Sequence, residues 1–220
     1  RKLNASGIEE AVVNVHHFAD KVEAWIGEQD IMKMEVSDER KMLLETGGAV
    51  LHARRFLEGC GHFLIHNVDI MSNADLKWLE AQVREDALAT LLVSNRPTKR
   101  FLLFEPGTMR LVGWHNTDTG DYSLADKSLK VEDCLAYGFS GIHVMSDKVF
   151  ALMDEYVAER GLTVDTEAGV RFPIMSFYLW AALKMSIYGV VAENLDFLDV
   201  GKLDTLAQAE EMFKNMIKTE

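Results

Sequence analysis

The sequence predicts a doubly wound α/β core with a mixed β region in its second half, and two observations predict it. Up to Arg96, short apolar runs alternate with amphipathic stretches of helical period. That is the rhythm of βαβ units, whose largely parallel sheet is covered on both faces. After Arg96 the chain turns to paired strands around a Pro-Gly turn, which is a hairpin signal.

The elements follow in order. Gly7 is placed to end a preceding helix, since a C-cap position favours glycine. "AVVNV" reads as a strand, the residues up to Gly27 as an amphipathic helix, and "MKMEVS" as an alternating strand. "GGAVLHARRFLEG" is a helix opened by two glycines. "FLIHN" is an apolar strand, followed by a helix in "SNADLKWLEAQVRED" with Ser72 or Asn73 as its N-cap. "ALATLLVS" is a wholly apolar strand, and "RFLLFEPGTMRLVGW" holds two strands about Pro106-Gly107. "AYGFSGIHVMS" is a strand with internal glycines. The next helix runs from an N-cap at Ser146 to a C-cap at Gly161, and an apolar helix opens at Pro173. "IYGVVAE" and "FLDVG" close the pattern as short strands, with a terminal helix over 203–220. No repeat or linker interrupts the chain, so 1–220 reads as a single domain.

Composition narrows the function. With 48% apolar and 26% charged residues, the chain can build an ordinary globular core. Its formal net charge of −12 disfavours nucleic acid and anionic membrane surfaces as partners. It leaves room for a small polyanion held through a divalent cation. No apolar run reaches the ~18–20 residues of a membrane span, and "RKLNASGIEE" has no secretory apolar region, so the cytoplasm is the default location. Cys60 and Cys134 are too few for a disulfide framework or a thiolate zinc site, and both read as reduced.

In open α/β sheets a ligand sits beyond the strand ends, and three strand ends here carry polar or glycine-rich loops: "ETGGA", "HNVD" and "LDVG". Asp69 and Asp199 each follow an apolar run. Two such carboxylates suit Mg²⁺, which accepts one or two and leaves its other positions to water and phosphates. The plainer alternative makes Asp69 a helix cap and Asp199 a turn cap. Gly47 and Gly48 offer amides at a helix start to an anion or a base edge, or else simply allow tight packing. Arg96, Lys99 and Arg100 would suit a phosphate, or form a solvated loop. His16 and His17 lack a third metal ligand at useful spacing. His62 and His66 lie four apart in a strand, where they do not converge as on a helix. The sequence contains no G-x-S-x-G, dinucleotide fingerprint or P-loop.

Taken in register, "VVNVHHFAD", "SDERKMLLETGGAV", "FLIHNVDIMSNADL", "LATLLVS", "RLVGWHN", "YGFSGIHV" and "NLDFLDVGKLDTL" resemble the sugar-1-phosphate nucleotidyltransferases. The likeness is greatest to short bacterial mannose-1-phosphate guanylyltransferase and N-acetylmuramate-1-phosphate uridylyltransferase-like enzymes. The resemblance implies a Rossmann-like three-layer nucleotidyltransferase fold, with residues 1–95 binding the nucleotide and 96–220 the sugar phosphate. It implies Mg²⁺-dependent transfer from an NTP to a sugar 1-phosphate, giving an NDP-sugar and pyrophosphate. Asp69 and Asp199 would hold the metal and act in catalysis. Glu45, Thr46, Gly47, Gly48 and Asn67 would lie against the nucleotide. Asn116, Gly138 and Gly141 would line the sugar pocket. The family's opening glycine-rich triphosphate loop is absent, so these 220 residues alone are expected to turn over little or no substrate. Two alternatives stand beside this reading. One is a cytidylyltransferase for phosphocholine or a similar alcohol phosphate, using Trp114, Tyr178 and Trp180 as a cage. The other is a sugar-nucleotide-binding homologue without chemistry. Base, sugar and oligomeric state are not legible in the sequence.

Overall fold

The computed structural model describes residues 2–201 and 209–210. The chain opens with a one-turn helix α1 (Lys2–Ala5), strand β1 (Glu10–Val15), helix α2 (Ala19–Gly27) and strand β2 (Lys33–Asp38). Helices α3 (Glu45–His52) and α4 (Arg54–Leu57) lead to β3 (His62–His66), β4 (Ile70–Ser72), α5 (Leu76–Ala81) and β5 (Ala87–Ser94). Then come β6 (Arg100–Phe104), β7 (Leu111–Asn116), β8 (Tyr122–Leu124) and the long β9 (Leu135–Ser146). Helix α6 (Val149–Glu159), strands β10 (Val164–Asp165) and β11 (Gly169–Val170), helix α7 (Ile174–Ala181), β12 (Ser186–Val191) and β13 (Phe197–Asp199) complete it. The terminal helix expected over 203–220 lies outside the described residues, apart from 209–210.

These elements form two compact units. One joins Arg1–Phe63 to Ser146–Lys184, and the other joins Leu64–Met145 to Met185–Glu220.

In the first unit β1 and β2 pair in parallel, Val15 opposite Asp38, with α2 as the crossover between them. This is the βαβ unit expected from the alternation. Helix α3 starts at Glu45, whose φ of 59° is unusual for a residue with a side chain. The amides of Gly47 and Gly48 both donate to the Phe172 carbonyl, at 3.0 and 3.1 Å. A Cβ on Gly48 would overlap the Val170 carbonyl oxygen, so the glycine pair lets the helix press against the backbone of a distant segment. Tyr156 of α6 packs with Phe172, Phe177 and Trp180, ring centroids 5.3 to 5.6 Å away. Lys184 beyond α7 ion-pairs with Glu155 and Glu159 of α6.

The second unit is built on a seven-stranded sheet ordered β12-β5-β9-β6-β7-β8, with β3 also pairing β9. Strand β5 is buried at all eight positions, as its unbroken apolar run requires. The α/β architecture is as expected, but the largely parallel sheet is not. Only β12 runs parallel to β5, whereas β9 is antiparallel to both β5 and β6, and β6-β7-β8 is an antiparallel meander. The physical reason is placement. A helix between two strands makes them parallel neighbours only when they end up side by side. Here β9, the longest strand, occupies the place beside β5 and runs the other way. A two-stranded antiparallel ribbon, β4 with β13, stands apart from this sheet.

Two cap assignments also shift. Helix α5 is capped by Asp75, whose carboxylate accepts from the Trp78 amide at 2.9 Å, because Ser72 is taken up in β4. Helix α6 begins after Lys148, so the Ser146 hydroxyl closes the preceding turn by accepting from the Lys148 amide at 3.3 Å.

Candidate functional site

The β4-β13 ribbon builds the site. Strand β3 leaves the sheet at Asn67, whose amide donates to the Gly141 carbonyl at 3.0 Å. The chain then enters β4, which pairs antiparallel with β13 so that Ile70 faces Asp199. One step outward, the Asp69 carbonyl accepts from the Val200 amide at 2.7 Å. Asp69 and Asp199 therefore stand next to each other at one end of the ribbon, fixed by backbone register.

Gly201 completes the arrangement. A Cβ built on it would lie 3.2 Å from Asp199 Oδ1 and 3.2 Å from Asp69 Oδ2. The two carboxylate oxygens are therefore no more than about 6.4 Å (twice 3.2 Å) apart, across a gap that glycine leaves empty. Among the described residues Asp69 caps no helix, since β4 separates it from α5. Asp199 does close a turn, its Oδ1 accepting from the Gly201 amide at 3.0 Å.

Around the pair lie other residues singled out in the sequence. Gly141 has a φ of 73°, and a Cβ there would stand 2.9 Å from the Asn67 side-chain amide, so this glycine makes room for Asn67. Gly138 is covered by Arg96, whose Cγ is 2.9 Å from the position of a Cβ. The Arg96 guanidinium stacks on Phe197 at 4.1 Å and donates to the Phe139 carbonyl at 3.0 Å. Burial lowers its pKa and the nearby Asp199 charge raises it. The basic loop is thus not one feature: Arg96 turns inward, while Lys99 pairs with Asp118 at 2.7 Å. Asn116 is engaged elsewhere, its Oδ1 accepting from the Asp118 amide in the turn after β7. Trp78, Asp75, Asn73 and Glu193 border an open cleft of about 430 Å³ whose lining does not include the carboxylate pair.

In the first unit, Glu45 pairs with Arg171 at 2.8 Å. The Gly47 and Gly48 amides expected to face an anion are hydrogen-bonded to Phe172. Tyr178 and Trp180, two of the three residues considered for an aromatic cage, are buried in this unit's aromatic core, and Trp114 belongs to the other unit.

The donor set fits Mg²⁺. The ion takes hard oxygen ligands, one or two carboxylates suffice, and substrate phosphates supply more. Among the described residues no group of three or more His, Cys, Asp or Glu side chains converges, so a closed, all-protein metal cage is not what these residues make. The sequence singled out both aspartates as candidates but not Gly201 as their spacer. The signal was present in "DVG", where only a residue without a side chain leaves the gap open. It also did not separate Arg96 from its exposed neighbours.

No protein-family model matches the chain. Over 159 residues it is 33% identical to an N-acetylmuramate alpha-1-phosphate uridylyltransferase of Caulobacter vibrioides. That match covers 68% of this chain, and the chain spans 61% of that relative's length. Among solved structures, HddC from Yersinia pseudotuberculosis superposes with a TM-score of 0.65 at 17% identity, covering 96% of this chain and 81% of that one. An inositol-1-phosphate CTP transferase from T. maritima gives 0.66 at 16% identity, covering 96% and 78%. At those identities the structural likeness speaks for the fold, and the sequence match with the uridylyltransferase adds kinship. The chain is thus similar in sequence to a sugar-1-phosphate nucleotidyltransferase over part of that enzyme's length.

Proposed function

We propose that the protein transfers a nucleotidyl group from an NTP to a sugar 1-phosphate in the cytoplasm, releasing pyrophosphate and depending on Mg²⁺. The observation that carries this reading is the approach of Asp69 and Asp199 to within 3.2 Å of one point at Gly201. Such a reaction needs no side-chain nucleophile; it needs two polyanions held in line and their charge offset. Asp69 and Asp199 are the residues that would hold Mg²⁺, which when bound supplies Lewis-acid stabilisation at the transferred phosphoryl group. The ribbon contributes rigidity, since backbone pairing fixes the stretches of chain that carry the two carboxylates. Asn67, lodged against Gly141, is proposed to face the nucleotide, and Gly141 to border the sugar. The nucleotide-side role of Glu45, Thr46, Gly47 and Gly48, and the sugar-side role of Asn116, rest on the resemblance. So does the division into a nucleotide-binding part over 1–95 and a sugar-phosphate part over 96–220.

The test is a pyrophosphate-release panel of four NTPs against several sugar 1-phosphates on the full-length protein with Mg²⁺. One productive pair is expected. Asp69→Asn removes a charged ligand and is expected to lower metal-dependent release by at least a hundredfold. Unchanged release by Asp69→Asn would sink the assignment of the metal site. No release from any pair would sink the reaction itself.

A further inference from the structure

We propose that Arg96 binds the phosphate of the acceptor substrate and that Gly138 exists to seat it. This inference rests on the nucleotidyl-transfer reading and names a residue for its second substrate.

Three observations carry it. First, Arg96 is a half-buried cation with no salt bridge to any described residue, although its neighbours Lys99 and Arg100 reach solvent. A charge drawn inward without a paired carboxylate costs stability unless something else complements it. Second, its donors are incompletely used. One amino group donates to the Phe139 carbonyl, while Nε is buried and has no hydrogen-bond partner among the described residues. A guanidinium carries five donors in a planar fork, and a phosphate is the group that matches several at once. Third, the head is held in place. It lies over the ring of Phe197, two residues before Asp199, and Asp199 is the charge acting on it.

Gly138 gives an independent handle. Its Cβ position is 2.9 Å from Arg96 Cγ, 3.1 Å from Arg96 Nε and 3.3 Å from Thr98 Cγ2. Gly138 shows no positive φ, so its lack of a side chain serves space, and the occupant of that space is Arg96. The first glycine of "GFSG" thus acts on substrate through an arginine rather than by opening the sugar pocket directly.

In chemical terms, a sugar 1-phosphate dianion must come close to an already anionic triphosphate beside two carboxylates. A fixed cation on the acceptor side lowers that repulsion and orients the attacking oxygen.

The experiment uses the full-length protein and follows steady-state kinetics with both substrates varied. Arg96→Gln is expected to raise KM for the sugar 1-phosphate about tenfold to a hundredfold, with KM for the NTP unchanged. Arg96→Lys should recover part of the loss. Gly138→Ala should raise the same KM, yet add nothing in an Arg96→Ala background, where the space has been vacated. An unchanged KM in Arg96→Gln, or a Gly138→Ala effect that persists without the arginine, overturns the inference while leaving the reaction intact. Thermal stabilisation of the protein by sugar 1-phosphate, compared with the unphosphorylated sugar, is measured alongside. If the wild type shows no turnover, the reaction reading fails. The arginine assignment then stands or falls on whether phosphate-dependent stabilisation is lost in Arg96→Gln.

Discussion

Gly201→Ala is the sharpest single perturbation of the site. The added methyl would stand 3.2 Å from Asp199 Oδ1 and from Asp69 Oδ2, close enough that each carboxylate must yield by a few tenths of an ångström. Gly201 shows no positive φ, so the backbone tolerates alanine and the effect is confined to the gap. A Mg²⁺ site keeps its ligand distances to within about 0.2 Å, so displacing two ligands together should matter more than displacing one. By the scale of substitutions that disturb ligand orientation, apparent Mg²⁺ affinity should fall about tenfold to a hundredfold, about 1.4–2.7 kcal/mol. Global stability should change by no more than about 0.5 kcal/mol, because Gly201 and Asp199 are both exposed. The assay is pyrophosphate release as a function of Mg²⁺ concentration, with thermal melting as the control. A shifted midpoint with the maximal rate recovered at high Mg²⁺ is the expected result. A wild-type midpoint, or a loss that no excess of Mg²⁺ repairs, would refute the idea that the two carboxylates share an ion across this gap.

Two further predictions concern stability. Gly48→Ala drives a methyl into the Val170 carbonyl oxygen, and a backbone obstacle yields poorly. The cost should reach about 3 kcal/mol, or about 6–12 °C in Tm, measured by calorimetry. An unchanged Tm would mean that α3 does not rest on that strand as described. His143 is fully buried, and burial holds its pKa down at about 3. The unfolded chain takes up a proton near pH 6.5, the folded chain only near 3. The contribution is therefore complete above about pH 6.5 and lost as pH falls from there towards 3. His143→Leu should flatten the slope of stability against pH across that window, and a slope identical to wild type would remove His143 as its source.

Much of the fold was legible because it rests on local periodicity. The buried run "ALATLLVS" is β5 residue for residue, and the β1-α2-β2 unit follows its pattern. Strand direction was not legible, since apolar alternation is the same for a strand running either way, and only pairing with β9 decided it. The site divided along the same line. Asp69 and Asp199 stood out because acids at the ends of apolar runs are uncommon. Their proximity depends on the three-residue ribbon of β4 with β13, too short to carry a periodic signal. Arg96 could not be told from Lys99 and Arg100 by composition, because what sets it apart is Phe197, 101 positions away.

The docking of α3 on the segment around Phe172 has a consequence for the order in which this chain can acquire structure. The Glu45-Arg171 pair closes across 126 positions, and the glycine amides of α3 wait for a carbonyl from the same late stretch. During synthesis the stretch up to Phe63 therefore emerges before the surface that completes it. Long-range closure of this kind slows folding. It also makes a fragment ending at Phe63 a poor object for expression, whereas the intervening Leu64–Met145 can begin to pair its own strands before the ribosome has finished.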